Sequence, residues 1–169
     1  MTTKLSFSKT YIDDAQQWKL IEFLQKHFIT PQPELIAQQL VEFIGKYPPA
    51  LEDFPYLEGR YTRTVILRHE SGFEAMVARW SKGTTSPIHG HPWFNLYCIV
   101  RGCLEMDDYI KKEEGLTLIS SGELRKNDVS FFVGKKGTFD NNIHQVRARE
   151  ETLSIHISSD DPTKGQIFS

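Results

Sequence analysis

Apolar positions along the chain change their spacing near residue 60. Between Ile12 and Phe28 they fall at Trp18, Ile21, Leu24 and Phe28, a helical spacing, with Asp13 and Asp14 placed early, where the helix dipole favours acid. Thr30, Pro31 and Pro33 break this first helix. Pro33 suits the opening turn of a second one, whose stripe runs Ile36, Leu40, Phe43 and Ile44 before Gly45 and Pro48-Pro49 end it. From Arg60 onward the period becomes two, and β-branched and aromatic runs at 60–68, 73–80, 93–101, 103–110, 116–120, 128–133, 142–147 and 152–158 predict strands. Turn signals separate them at Glu70-Ser71-Gly72, Lys82-Gly83, Arg101-Gly102, Glu114-Gly115, Ser121-Gly122 and Asn127-Asp128. Short strands at this spacing predict a mainly β sandwich or barrel with two N-terminal helices packed outside it.

The 169 residues suit one domain, with a helical layer over 1–50 and a β-barrel over 58–160. With 39% hydrophobic, 25% charged and 12% aromatic residues, the composition supports a folded core rather than a disordered chain. The formal charge of -2 provides no general attraction to phosphate or an anionic membrane, so neither nucleic acid nor membrane is an expected partner. No stretch approaches the ~18 apolar residues of a membrane span, and Met1 to Lys9 lacks the apolar core of a signal peptide, which predicts a cytoplasmic protein. Two cysteines, Cys98 and Cys103, are too few for a disulfide framework and read as reduced, buried thiols. The composition leaves monomer and homodimer equally open.

Of the six histidines, His89, His91, His144 and His156 lie in the β part, whereas His27 and His69 read as surface residues. One residue separates His89 from His91, so on an extended segment both imidazoles project from one face and can share a metal ion. Gly83 lies six residues before His89, Asn95 four after His91, and Gly102 seven after Asn95. This spacing resembles the first motif of the cupin superfamily, which implies a double-stranded β-helix, or jelly-roll, barrel. The motif usually carries a glutamate ligand where this chain has Asn95, and a neutral amide is a poor ligand for a hard divalent ion. The resemblance therefore implies a site of three histidines, with His144 standing where the second, here degenerate, cupin motif places its histidine.

Further strings resemble the cysteine dioxygenase type I family, the thiol dioxygenase branch of the cupins: Tyr61-Thr62-Arg63, Trp80, Ser86-Pro87-Ile88-His89-x-His91 and Ser154-Ile155-His156-Ile157-Ser158. The resemblance covers roughly residues 55 to 160. It implies an enzyme that oxidises a small thiol, first of all L-cysteine, to its sulfinic acid with dioxygen at one Fe(II) ion, for which Ni, Zn or Cu could substitute in a purified sample. Three neutral imidazoles would leave that ion its full charge and open positions. The resemblance also implies that Arg63 binds the substrate carboxylate, its planar guanidinium suiting bidentate pairing, with Tyr61 on the same face. Read alone, without the resemblance, Arg63 reads first as an exposed arginine at the barrel mouth. Ser154 and His156 match the family's catalytic relay, but Ser158 stands where its tyrosine is expected, so water or another side chain would fill the outer end. The rival readings are a 3-mercaptopropionate-type thiol dioxygenase and a metal-binding cupin that serves as a small-ligand sensor without oxygenase activity. Strand alternation turns Cys98 away from the metal, and without a ring at Ser158 the family's cysteine–tyrosine crosslink has no partner.

Overall fold

A computed structural model describes residues 15–27, 32–70 and 72–169. Asp13, Asp14, Phe28, Thr30, Pro31 and Ser71 lie outside the described residues, as does the side chain of His27. Two helices, α1 (Ala15–His27) and α2 (Pro33–Lys46), precede ten strands. These are β1 (Tyr61–Arg68), β2 (Glu74–Trp80), β3 (Ile88–His91), β4 (Phe94–Arg101), β5 (Cys103–Lys112), β6 (Gly115–Arg125), β7 (Val129–Val133), β8 (Asn141–Ala148), β9 (Thr152–Ser158) and β10 (Ile167–Phe168). They form two five-stranded sheets with antiparallel pairings, ordered β1-β2-β9-β4-β7 and β10-β3-β8-β5-β6.

Alternation decides what each face of the first sheet does. Ala75, Val77, Phe94, Leu96, Cys98, Leu153, Ile155 and Ile157 point outward and join Leu20, Ile21 and Leu24 of α1 and Ile36, Leu40 and Ile44 of α2 in one buried cluster. Each fully buried aliphatic side chain here contributes about 1.5–3 kcal/mol of transfer free energy, and the helices thus close the outer face as expected. Trp18 departs from the expected stripe: it is 51% exposed, and Leu20 takes its place in the core. Pro33 occupies the first turn of α2, whereas Gly45 lies within the helix and Tyr47 caps it through its backbone N–H to the Phe43 carbonyl.

The inward residues of the same sheet form layers set by strand register. Ala78, Ser154 and Ile99 stand abreast, then Met76, His156 and Tyr97, then Glu74, Ser158 and Asn95. One end of the interior is closed by Trp80, Ile99, Leu104, Val146 and Ala148. Two glycines are required by close approach. A Cβ on Gly102, at φ 89°, would sit 2.6 Å from the Glu151 carbonyl oxygen, and one on Gly90 would sit 2.6 Å from the Asp140 Cα. The residue between the two motif histidines is thus glycine because the chain at Asp140 crosses over it.

Two differences concern β6 and the C-terminus. Ser121-Gly122 is not a turn: both residues pair within the long β5–β6 hairpin, opposite Asp107 and Met106. The short β10, which no periodicity marks, pairs with β3 opposite Ile88 and His89.

Candidate metal centre

The second sheet brings the three histidines together. His89 lies directly opposite His144 across β3–β8, and a register shift after His89 lets His91, which pairs with Asn141, turn toward the same point. The ring centroids are 4.6–4.8 Å apart, and the candidate ligand atoms all lie within 4.8 Å of one another. The Nε2 atoms of His91 and His144 face each other at 3.0 Å, the separation of two nitrogens ~2.1 Å from a shared ion and near a right angle to it. The Nδ1 of His89 lies 2.9 Å from the Pro87 carbonyl. Because that oxygen only accepts, Nδ1 carries the proton and Nε2 keeps its lone pair for a ligand.

Burial holds all three rings below the usual imidazole range, His91 and His144 well below it; neighbouring rings add to the effect at His91 and His144, and the Arg63 charge adds to it at His89. The neutral ring is the ligating form, so the donors fit a divalent metal of imidazole preference. No carboxylate joins the three-histidine group among the described residues. Asn95, at the place of the usual glutamate, instead accepts a hydrogen bond at 3.4 Å from Ser158 Oγ, its partner in the same layer.

A cavity of about 80 Å³ opens beside the three rings, lined from the first sheet by Tyr61, Arg63, Met76, Trp80 and His156. It thus brings every site residue expected from the sequence to one place except Ser154, which stands directly behind His156. Trp80 Nε1–H donates to Ser154 Oγ at 3.0 Å, and that oxygen lies 2.8 Å from His156 Nε2. His156 is held at about 3, first by burial and then by the nearby Arg63 charge, so the ring is neutral at physiological pH. Tyr61 stacks on Trp80 with centroids 4.4 Å apart and completes this wall.

Sequence reasoning missed Glu74 and Tyr97. The Glu74 side chain is buried, with Oε1 3.4 Å from Arg63 Nη2 and Oε2 accepting from Arg68 Nε at 2.8 Å and from Arg68 Nη2. Arg63 Nε also donates to Met76 Sδ at 2.9 Å. The signal was available: alternation from Trp80 back through Ala78 and Met76 puts Glu74 on the inward face, where a carboxylate requires a partner. Tyr97, to which the sequence pattern assigns no role, sits edge-on to His144 at 5.7 Å and beside His156 at 5.8 Å, with its hydroxyl on Met106 Sδ. Burial pushes its hydroxyl up to about 12. Cys98 points into the outer core as expected, and both cysteines are free.

No protein-family model matches the chain, and no curated protein matches it. Its structure is similar to that of a cupin superfamily protein from Desulfitobacterium hafniense DCB-2, with a TM-score of 0.51 and 12% identity over 67% of this chain and 89% of that one. It is also similar to a cupin domain from Schizosaccharomyces pombe (TM-score 0.49, 14% identity, 68% of this chain and 74% of that one). A third similar structure is a cupin 2 conserved barrel domain protein from Leptotrichia buccalis (TM-score 0.48, 16% identity, 64% of this chain and 45% of that one). The chain has the cupin fold, and three of its histidines form a candidate metal site. No helix among the described residues is long and apolar enough to cross a membrane.

Proposed function

We propose that the protein is a thiol dioxygenase that uses a three-histidine Fe(II) centre to oxidise a small thiol, L-cysteine first among those to test, to its sulfinic acid. The observation that carries the proposal is the shared cavity: three neutral imidazoles without a carboxylate, and a guanidinium on the facing wall. When bound, the iron supplies the redox chemistry that brings dioxygen and a thiolate together. Arg63 receives the substrate carboxylate, fixing the thiol end toward the histidines. The cavity volume restricts the ligand to a few heavy atoms. His156, neutral and anchored through Ser154 to Trp80, offers a fixed ring wall that does not compete for the anion. Ser158 is turned to Asn95 and takes no part in this chain of contacts.

One observation favours the 3-mercaptopropionate reading as a second possibility. The described cavity walls carry a cation and neutral rings but no carboxylate, so an ammonium group has no acidic partner there. The test is oxygen uptake by anaerobically iron-loaded protein with cysteine, 3-mercaptopropionate and cysteamine, with mass spectrometry of the products. A sulfinic acid from either carboxylate-bearing thiol supports the proposal. No uptake beyond that of free iron would leave a metal-binding cupin without oxygenase activity.

A further inference from the structure

We propose that Glu74 is a positioning residue that holds the Arg63 guanidinium against the cavity, so that an anionic ligand meets a fixed fork rather than a mobile chain. The proposal rests on the reading of Arg63 as the carboxylate receptor. Glu74 does not line the cavity and its side chain is fully buried, so it has no direct contact to offer a ligand. Its two oxygens are divided: Oε2 takes both donors of Arg68, and Oε1 is left for Arg63. Without it, the Arg63 guanidinium keeps, among the described residues, only the Met76 thioether, a weak acceptor. The Arg63 side chain retains 26% of its exposure, so water is a competing destination once the carboxylate is gone.

Glu74 does not serve Arg63 alone. Arg68 gives Glu74 a second cationic partner, and Asp161 lies within electrostatic reach of both arginines, so the cluster holds two cations and two acids. Arg68 is half exposed and does not line the cavity, so it serves Glu74 rather than the ligand. The β1–β2 register places Arg68 directly opposite Glu74, whereas Arg63 sits opposite Ala78 and reaches Glu74 along the strand past Met76. Arg63 thus meets Glu74 through one contact at 3.4 Å, with no direct cross-strand pairing behind it.

The test has two arms. In the first, ¹⁵N NMR of the arginine Nη–H groups, which requires neither iron nor thiol, is recorded for the wild type, Glu74→Gln and Glu74→Asp, with Arg63→Ala to assign the signal. The Arg63 resonance should be resolved in the wild type and lost to fast exchange in both Glu74 variants. The Asp variant keeps the charge for Arg68 but is too short to serve Arg63, and it decides the matter should the Gln variant fail to fold. In the second arm, oxygen uptake should show KM for carboxylate-bearing thiols raised about tenfold in the Glu74 variants with kcat nearly unchanged, and cysteamine unaffected. A persistent Arg63 resonance in the variants, or an unchanged KM despite its loss, overturns the proposal. If the wild type oxidises no thiol, the dioxygenase reading fails while the NMR arm still decides whether Glu74 holds Arg63.

Discussion

Replacing Ser154 with alanine removes one oxygen that two buried side chains share. The indole N–H of Trp80 can only donate, and its contact to Ser154 is 3.0 Å in an environment where Trp80 is 4% and Ser154 0% exposed. In Ser154→Ala that donor has no acceptor, which costs about 1–3 kcal/mol. His156 Nε2, 2.8 Å from the same oxygen, loses its partner too, but its ring borders the cavity, where water can compensate in part. The sum is about 2–4 kcal/mol, or about 5–15 °C in Tm for a domain of this size. The informative assay is a double-mutant cycle in urea with metal-free protein. Trp80→Phe removes the donor itself, so the double variant should be less destabilised than the sum of the singles, by about 1–2 kcal/mol. Additivity to within about 0.5 kcal/mol would refute the shared hydrogen bond and with it the anchoring of His156.

Other substitutions and conditions address the remaining contacts. His144→Ala or His91→Ala should bring bound metal to background in elemental analysis while circular dichroism stays β-rich; stoichiometric metal in either variant would contradict the assigned site. Saturating metal at a hundred times its Kd should stabilise the wild type by about 2.7 kcal/mol, a gain absent from His144→Ala when the two are melted with and without chelator. In metal-free protein His89, His91, His144 and His156 all titrate below their unfolded value near 6.5, so their neutral forms cost nothing above that pH. As pH falls below it the unfolded chain takes up protons first, and stability is lost by up to about 1.4 kcal/mol per pH unit for each ring, continuing toward about 3 for His156. A urea midpoint equal at pH 7 and pH 5 would contradict this. Arg63→Ala should lower kcat/KM for cysteine and 3-mercaptopropionate at least tenfold, about 1.4 kcal/mol or more, leave cysteamine unchanged, and be only partly rescued by Arg63→Lys. Cys98 and Cys103 should both appear as free thiols in intact-mass labelling, since burial pushes Cys98 up to about 12 and it faces the outer core.

What was legible in the sequence is what alternation and local spacing control. Period two along β2, β4 and β9 correctly separates the outward residues Val77, Leu96 and Ile155 from the inward Ala78, Tyr97 and His156, because one face must be apolar toward the helices. The same rule brings Arg63, Tyr61 and His156 to one cavity. Spacing alone did not reveal how His89 and His91 converge on His144, since that depends on a register shift between β3 and β8. Ser121-Gly122 misled because a glycine–serine pair reads as a turn, yet the β5 partner extends the hairpin past it. Glu74 escaped because its reason for being buried lies on β1, in Arg68 opposite and Arg63 five residues earlier. Trp18 was assigned to the core by spacing, but three aliphatic side chains of α1 already fill the contact with the sheet.

The central proposal, thiol oxidation at a three-histidine metal centre, is tested most directly by one measurement. Protein purified without added metal is analysed for its metal content, loaded anaerobically with Fe(II), and given cysteine or 3-mercaptopropionate while dissolved oxygen and product are followed together, with His144→Ala as the blank. The expected result is one metal site per chain and one dioxygen consumed per thiol, with both oxygen atoms recovered in a sulfinic acid and none formed by the blank. Disulfide as the only product, or uptake equal to that of His144→Ala, would contradict it.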